Sequence, residues 1–150
     1  MKKMIIIKEF NYKDVDLCFE LDSNTISLWS KKQWISELNK SGIKVFALLL
    51  FQKLIGICVF QVVLDEAQIN YFSINHKFRR LGYGTQLINY IINECEILGI
   101  KKLLLEVSEN NFVADKFYDT FNFATVGVRK NYYKDGSNSL LKEKKLINKS

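Results

Sequence analysis

A basic, glycine-containing loop stands between a predicted strand and a predicted helix near the middle of this chain. The loop reads Arg79-Arg-Leu-Gly-Tyr-Gly-Thr85, and the segment after it repeats apolar residues at helical spacing. A helix start leaves about four backbone N–H groups unpaired and carries roughly half a positive charge. Glycines let this backbone approach an anion closely, and the arginines add full charges. The segment therefore predicts a phosphate-binding turn.

Two familiar phosphate-binding loops do not fit the spacing. The dinucleotide-binding fingerprint needs a third glycine at position 87, where this chain has Leu87, and the P-loop needs a Gly-Lys-Ser/Thr sequence that is absent. The remaining alternative is a plain turn in which the glycines serve only the backbone geometry. From the residues alone we favour phosphate binding over that turn.

Length and composition are typical of a single globular domain. The chain has 150 residues, of which 48% are hydrophobic and 25% charged, and it has no proline. We therefore expect one domain over residues 1–150. The longest apolar run, residues 45–51, is far shorter than the ~20 residues of a membrane helix. The apolar stretch near the start is too short for a signal peptide. We expect a cytoplasmic protein without a membrane partner.

Metal and thiol chemistry are not expected. The chain has three widely spaced cysteines, Cys18, Cys58 and Cys95, one histidine, His76, and no C-x-x-C motif. This spacing disfavours a disulfide framework and a zinc site. Cys95 with His76 could act as a thiol nucleophile, but Cys95 lies on the apolar stripe of a predicted helix and no orienting third group is evident.

The positive charge lies mostly in the second half of the chain. The net charge is +6, of which residues 1–75 contribute +1 and residues 76–150 contribute +5. A basic half fits an anionic ligand such as a polyphosphate cofactor, a nucleic acid or a ribosomal surface. No nucleic-acid-binding module is recognisable, so nucleic acid is not an expected partner.

Hydrophobic periodicity and capping motifs predict the order β, α, α, β, β, β, α, β, α, β, β. This order indicates an α+β domain with a central mixed sheet flanked by helices. Helices are predicted after capping motifs at Asn11 and Ser30, after the glycine loop up to Gly99, and over residues 111–121. Strands are predicted over residues 3–10, 43–51, 54–64, 66–74, 101–108 and 123–132, with a candidate last strand over 140–147.

Glu106 interrupts the apolar strand Leu103-Leu-Leu-Glu-Val107. A carboxylate in such a strand is costly unless it is paired or solvated, which makes it a functional candidate. Strand alternation places it on the face opposite Leu105 and Val107. The alternative is an ordinary solvent-facing glutamate.

Tyr118 lies two helical turns beyond Asn111, so both residues share one face of the predicted helix. A phenol with a pKa of about 10 can give its proton to a thiolate whose conjugate acid has a pKa of about 8.5. The simpler interpretations are a packing tyrosine and a helix N-cap.

The spacing Arg-x-x-Gly-x-Gly from Arg79 resembles the coenzyme A pyrophosphate loop of the GCN5-related N-acetyltransferases. Three further segments resemble, more narrowly, the bacterial ribosomal-protein-alanine N-acetyltransferases. They are Gln61-Val-Val-Leu-Asp-Glu-Ala67, Leu105-Glu-Val107, and Arg129-Lys-Asn-Tyr-Tyr133 followed by Asp135-Gly136. The likeness covers about residues 55–136. It implies an acetyl-CoA-dependent acetyltransferase that modifies, by direct attack, the α-amine of the N-terminal alanine of small-subunit ribosomal protein eighteen.

The resemblance also implies roles for individual residues. Glu106 would be the general base and Tyr118 the general acid, and Asn131-Tyr-Tyr would line the acceptor side. The implied donor-binding residues are Phe72, Ser73, Ile74, Arg80, Leu81, Gly82, Tyr83, Gly84, Thr85 and Asn111. No metal and no permanently bound cofactor is implied. The implied partners are acetyl-CoA, as co-substrate, and the N-terminal segment of a ribosomal protein.

Two other functions remain open. The same fold could acetylate a lysine, a polyamine or a small-molecule amine, or the chain could be a non-enzymatic binder of ribosome or RNA. An α-amine has a pKa of about 7.7–8.0 and is partly neutral at pH 7, whereas a lysine side chain has a pKa of about 10.4. This difference favours an α-amine over a lysine as the acceptor. The chain departs from the family at Lys142, Lys144 and Lys145, where apolar residues are usual, and we expect these lysines to weaken the last strand.

Overall fold

A single seven-stranded sheet with helices on both faces organises the computed structural model, which describes residues 4–147. The strand order is β1-β2-β3-β4-β5-β7-β6, and every neighbouring pair is antiparallel except β4 with β5. The strands are β1 (Ile5–Phe10), β2 (Ile43–Leu50), β3 (Lys53–Val63), β4 (Glu66–Ile74), β5 (Lys102–Ser108), β6 (Ala124–Arg129) and β7 (Ser139–Lys145). The helices are α1 (Val15–Ser23), α2 (Lys31–Leu38), α3 (Tyr83–Ile97) and α4 (Phe112–Asp119).

This architecture confirms the predicted order of elements and the α+β class. Lys3, the predicted start of the first strand, lies outside the described residues. No helix among residues 4–147 is long and apolar enough to cross a membrane.

Both predicted capping boxes form at the helix starts. At α2, the Ser30 hydroxyl accepts from the Gln33 amide at 3.1 Å, and the Gln33 side chain accepts from the Ser30 amide at 2.8 Å. Asn11 and Asp14 make the same reciprocal pair, but the turn they close is a 3-10 turn that leads into α1. These pairs satisfy amides that a helix start leaves without an intrahelical acceptor.

Two cores form, one on each face of the sheet. On one face, α3 buries Leu87, Ile88 and Ile91 against the strands, and Tyr118 of α4 joins the same core. On the other face, α1 and α2 cover the sheet around Trp34, which is fully buried. The helices therefore come in two pairs that enclose the central strands.

A bulge in β4 separates it from its parallel neighbour. The β3–β4 register places Val59 opposite Tyr71 and Phe60 opposite Ile69, so Asn70 is an extra residue. Such a bulge bends and twists the strand. Pairing of β4 with β5 stops at Gln68, two residues before Asn70, after only three paired residues. The later part of β4 therefore has a sheet edge free of a neighbouring strand.

The sixth strand ends earlier than the sequence predicts. It stops at Arg129 rather than residue 132, because Asn131 adopts a left-handed conformation with φ of +52°. The amides of Tyr132 and Tyr133 then donate to the Ser137 carbonyl at 3.0 and 3.2 Å instead of continuing a ladder. The predicted extension of this strand to residue 132 is therefore wrong.

The predicted end of the last helix is also wrong. Helix α4 stops at Asp119 rather than residue 121, and the chain then turns away through Asn122, which is left-handed with φ of +66°. At the end of α3, Leu98 is 47% exposed and does not belong to the buried stripe.

The last strand is not weakened by its lysines. Strand β7 lies inside the sheet, between β5 and β6. The Lys142 side chain is 1% exposed, and its ammonium lies 2.6 Å from Asp115 and 2.7 Å from Asp119, one turn apart on α4. Burial alone lowers the pKa of Lys142, but the hydrogen bonds to Asp115 and Asp119 raise it above the usual lysine value. These ion pairs hold α4 against the sheet.

We predict that Lys142→Met lowers the free energy of unfolding by about 1–3 kcal/mol, because both aspartates lose a charged hydrogen-bond donor. Urea unfolding of the variant measures this loss. Lys145→Met is the control, since Lys145 is exposed in the same strand, and it should change stability by less than about 0.5 kcal/mol.

The stabilisation by Lys142 should persist from neutral pH up to the unfolded lysine value of about 10.4. The pKa of Lys142 is higher in the folded protein than in the unfolded chain. The stabilisation is therefore lost only as the pH rises through the folded-state pKa. Equal stability of the Lys142→Met and Lys145→Met proteins would contradict the role of the ion pairs.

Candidate active site

A cavity of about 640 Å³ lies beside the free edge of β4. It brings together residues from β4, from the loop before α3 and from α4. The predicted site residues that line it are Phe72, Ser73, Ile74, Arg80, Gly82, Gly84, Thr85, Asn111 and Tyr118. Three other predicted residues, Leu81, Tyr83 and Glu106, are not part of its lining. The structure thus assembles most of the predicted donor-binding residues around one space.

The loop before α3 has the backbone geometry of an anion site. Gly82 is the N-cap of α3 with φ of +85°, a conformation that favours glycine. Arg80 is also left-handed, with φ of +62°. A glycine cap has no side chain to bind the first-turn amides, which leaves the amides of Gly84 and Thr85 to a ligand. Arg79 Nε donates to the Ile74 carbonyl at 3.0 Å and joins the loop to the end of β4.

The remaining loop residues have structural positions. Leu81 is 58% exposed, and Tyr83 is buried against Phe78, with ring centres 6.5 Å apart. Their side chains therefore do not form the cavity wall, although their main chain belongs to the same turn. The prediction that they contact a ligand stays a prediction for backbone atoms only.

Helix α4 places Asn111 and Tyr118 on the opposite wall. The Asn111 side chain accepts from the Ala114 amide at 3.1 Å, so it is the N-cap of α4 and lines the cavity as well. Tyr118 is 8% exposed, and its ring packs edge-on against Phe72 and Phe123. Among residues 4–147 its hydroxyl has no hydrogen-bond partner.

The Tyr118 phenol is protonated at neutral pH. Burial raises the pKa of Tyr118 above the usual tyrosine value, and the neighbouring Cys58 adds to this shift. The raised pKa by itself makes the phenol a weaker acid, and what makes Tyr118 a candidate proton donor is its position in the cavity wall.

Glu106 lies on the other face of the sheet. Leu105 and Val107 are buried in the core under α3 and α4, so the alternation predicted for this strand is confirmed. The Glu106 side chain is 22% exposed. Its Oε1 accepts from Arg129 Nε at 2.8 Å, and its Oε2 accepts from the Ser139 hydroxyl at 3.4 Å. The carboxylate is therefore paired, not isolated in an apolar strand.

A buried polar network that the sequence did not reveal supports the cavity wall. Asp22 is fully buried and accepts four hydrogen bonds, two from main-chain amides between α1 and α2, one from Trp34 Nε1 and one from the Tyr71 hydroxyl. The Tyr71 hydroxyl in turn accepts from the Ser73 hydroxyl at 2.8 Å. A fully paired buried carboxylate rigidifies its surroundings. The network joins α1, α2 and β4 next to the cavity.

The thiol-nucleophile alternative finds no support in the structure. Cys95 is fully buried, and burial, with Glu94 and Glu96 adding to it, raises the pKa of its thiol to about 12. His76 instead contacts the Thr25 carbonyl at 3.1 Å. In the part of the chain that the structure describes, no group of three or more His, Cys, Asp and Glu side chains is placed to hold a metal ion.

Comparison with known proteins identifies the family. The sequence profile of the acetyltransferase (GNAT) family matches residues 9–123. The chain belongs to the GNAT family. It therefore is an acyltransferase, and the family's acetyl donor is acetyl-CoA, as the resemblance implied.

Individual relatives point to one subgroup of this family. The [ribosomal protein bS18]-alanine N-acetyltransferase of Haemophilus ducreyi is 33% identical over 130 residues, which cover 83% of this chain and 88% of that protein. The Escherichia coli K12 protein of the same name is 32% identical over 105 residues, or 70% of each chain. The crystal structure of the Escherichia coli ribosomal-protein-S18-alanine N-acetyltransferase superposes with a TM-score of 0.90 at 26% identity, covering 98% of this chain and 97% of that one.

We predict that Gly82→Ala raises the KM for acetyl-CoA severalfold, because a side chain at φ of +85° strains the turn that presents the α3 amides. Steady-state kinetics at varied acetyl-CoA measures the effect. Gly99→Ala is the matched control, since Gly99 also has a left-handed φ, +77°, and open space around it, but lies beyond the far end of α3. A KM unchanged in Gly82→Ala, or raised equally in both variants, would contradict a donor-binding role for the loop.

Proposed function

We propose that this GNAT acetyltransferase modifies the α-amine of an N-terminal alanine, that of small-subunit ribosomal protein eighteen, by direct attack on acetyl-CoA. The observation that carries the proposal is the single cavity formed by the glycine loop, the free edge of β4 and the Tyr118 wall. The named activity of relatives about 30% identical supports the acceptor. The reaction would occur in the cytoplasm, within one catalytic domain over residues 1–150.

The donor would bind along the cavity from the loop to the centre of the sheet. The amides of Gly84 and Thr85, with the Arg80 guanidinium, would hold the pyrophosphate. The edge of β4 at Phe72 and Ser73 has no neighbouring strand and offers backbone groups to the amides of the pantetheine arm. Asn111, which lines the wall on α4, would contact the same arm.

The two candidate catalytic groups would move protons on opposite sides of the reacting carbonyl. The neutral amine nitrogen forms a bond to the thioester carbonyl carbon, and the carbon–sulfur bond breaks. Glu106 would take the proton that the amine loses, directly or through a water. Tyr118 would give its proton to the departing thiolate and regain one from solvent, so that the amide and the free thiol each end neutral.

An α-amine suits this arrangement better than a lysine does. At pH 7 about a tenth of an α-amine is neutral, whereas less than about one lysine side chain in a thousand is. A carboxylate is a modest base, so a catalyst that relies on Glu106 works best on an amine that needs little help to lose its proton.

We predict that wild-type protein adds one acetyl group to the α-amine of an N-terminal-alanine peptide from this ribosomal protein. Glu106→Gln and Tyr118→Phe should each lower kcat by about 10²-fold or more, because each removes one proton transfer. Mass spectrometry of the product identifies the modified amine, and stopped assays give the rates. Binding of acetyl-CoA to both variants, measured by calorimetry, is the control for folding.

Absence of transfer by wild-type protein that binds acetyl-CoA would show that the acceptor is wrong. Lysine peptides, polyamines and small amines would then be tested with the same donor. If Glu106→Gln reacted at the wild-type rate, the assignment of the base would be wrong even though the acceptor was correct.

A further inference from the structure

We propose that Arg129 determines which amines this enzyme accepts, because it neutralises Glu106 and so disfavours amines that carry a positive charge. The proposal rests on the function proposed above, in which Glu106 faces the acceptor. It concerns the discrimination between an α-amine and a cationic lysine or polyamine. The pairing of Arg129 with Glu106 is its structural basis.

The Arg129 guanidinium is held from two sides. Its Nε lies 2.8 Å from Glu106 Oε1, and its guanidinium carbon lies 5.9 Å from the centre of the Tyr132 ring. The Tyr132 ring packs edge-on against Tyr133, with centres 5.1 Å apart. These contacts connect the proposed base to the Asn131-Tyr-Tyr segment, which the sequence likeness associates with the acceptor.

Arg129 is the more exposed member of its pair with Glu106. The Arg129 side chain is 56% exposed, whereas that of Glu106 is 22% exposed. Within residues 4–147, Arg129 is the only cation in an ion pair with Glu106. The other hydrogen-bond partner of the Glu106 carboxylate is the neutral Ser139 hydroxyl. Loss of Arg129 would leave a half-buried carboxylate without a counter-charge.

The charge of this pair selects among amines. An unpaired carboxylate attracts any ammonium ion and would concentrate lysine side chains or polyamines at the base. The Glu106–Arg129 pair has no net charge, and the guanidinium repels an approaching ammonium. A neutral amine pays no such penalty, and at pH 7 about a tenth of an α-amine but less than about one lysine side chain in a thousand is in that form. Arg129 therefore works by disfavouring the wrong substrate.

The test compares two acceptor peptides of otherwise equal sequence. One has a free N-terminal alanine and no lysine, and the other has an acetylated N-terminus and a single lysine. For each protein, the ratio of kcat/KM for the α-amine peptide to that for the lysine peptide is measured with acetyl-CoA saturating. Arg129→Gln removes the charge, and Arg129→Lys keeps it. Lys130→Gln removes an adjacent exposed charge and is the matched control.

We expect Arg129→Gln to lower this ratio by about tenfold or more, chiefly through faster lysine acetylation. Arg129→Lys and Lys130→Gln should keep the wild-type ratio to within about threefold. A merely structural role for Arg129 would slow both peptides equally and would not move the ratio.

The outcomes separate this proposal from the proposed function. If wild-type protein prefers the α-amine peptide but Arg129→Gln keeps the same ratio, the role of Arg129 is wrong and the function stands. An equal drop of the kcat/KM ratio in Lys130→Gln would show that general surface charge causes the effect. This result would also overturn the role of Arg129. If wild-type protein acetylates only the lysine peptide, both the proposed function and the selection by Arg129 fail.

Discussion

The separation of β4 from β5 is the constraint on which the rest of the site depends. Two parallel strands that pair over only three residues cannot remain a continuous ladder, and the extra residue Asn70 marks the place where they part. Asn70 is held at this point because its side chain donates to Glu37 of α2 at 2.7 Å. The gap leaves backbone groups on this edge of β4 without a neighbouring strand, beside the cavity.

Buried polar groups hold the walls of this gap from opposite sides. On the α4 side, Lys142 pairs with Asp115 and Asp119 and fixes the helix that presents Tyr118. On the other side, Asp22 binds Tyr71, which is bonded to Ser73 in the cavity wall. Directional hydrogen bonds define a position more strictly than apolar packing does, although a buried charge is stabilising only when it is fully paired. Asp22 meets that condition with four hydrogen bonds, whereas Asp115 Oδ1 lies 2.6 Å from the Lys142 ammonium in an ion pair without a well-directed hydrogen bond.

The chemistry then follows from where two protons have to go. Tyr118 is buried and protonated, and in the proposed reaction it would lie on the side where the thiolate leaves. Glu106 lies on the opposite face, paired with Arg129, where an amine would arrive. A general base with a counter-ion is less attractive to cations than a bare carboxylate, so the ion pair can select an amine by its charge. The chain belongs to the GNAT family, whose acetyl donor is acetyl-CoA.

The sequence by itself determined the features that depend on near neighbours along the chain. The capping motifs at Asn11 and Ser30 and the facing of Glu106 arise within a few residues, and each was predicted correctly. The α+β order of elements follows from the same local periodicity.

Only the tertiary structure decided the features that join distant segments. Lys142 looked misplaced in an apolar strand because its partner Asp115 lies 27 positions earlier in the sequence. Arg129 reaches Glu106 because β7 pairs with β5 on one side and with β6 on the other. Strand order in a sheet depends on how whole elements pack, which no local pattern of residues contains.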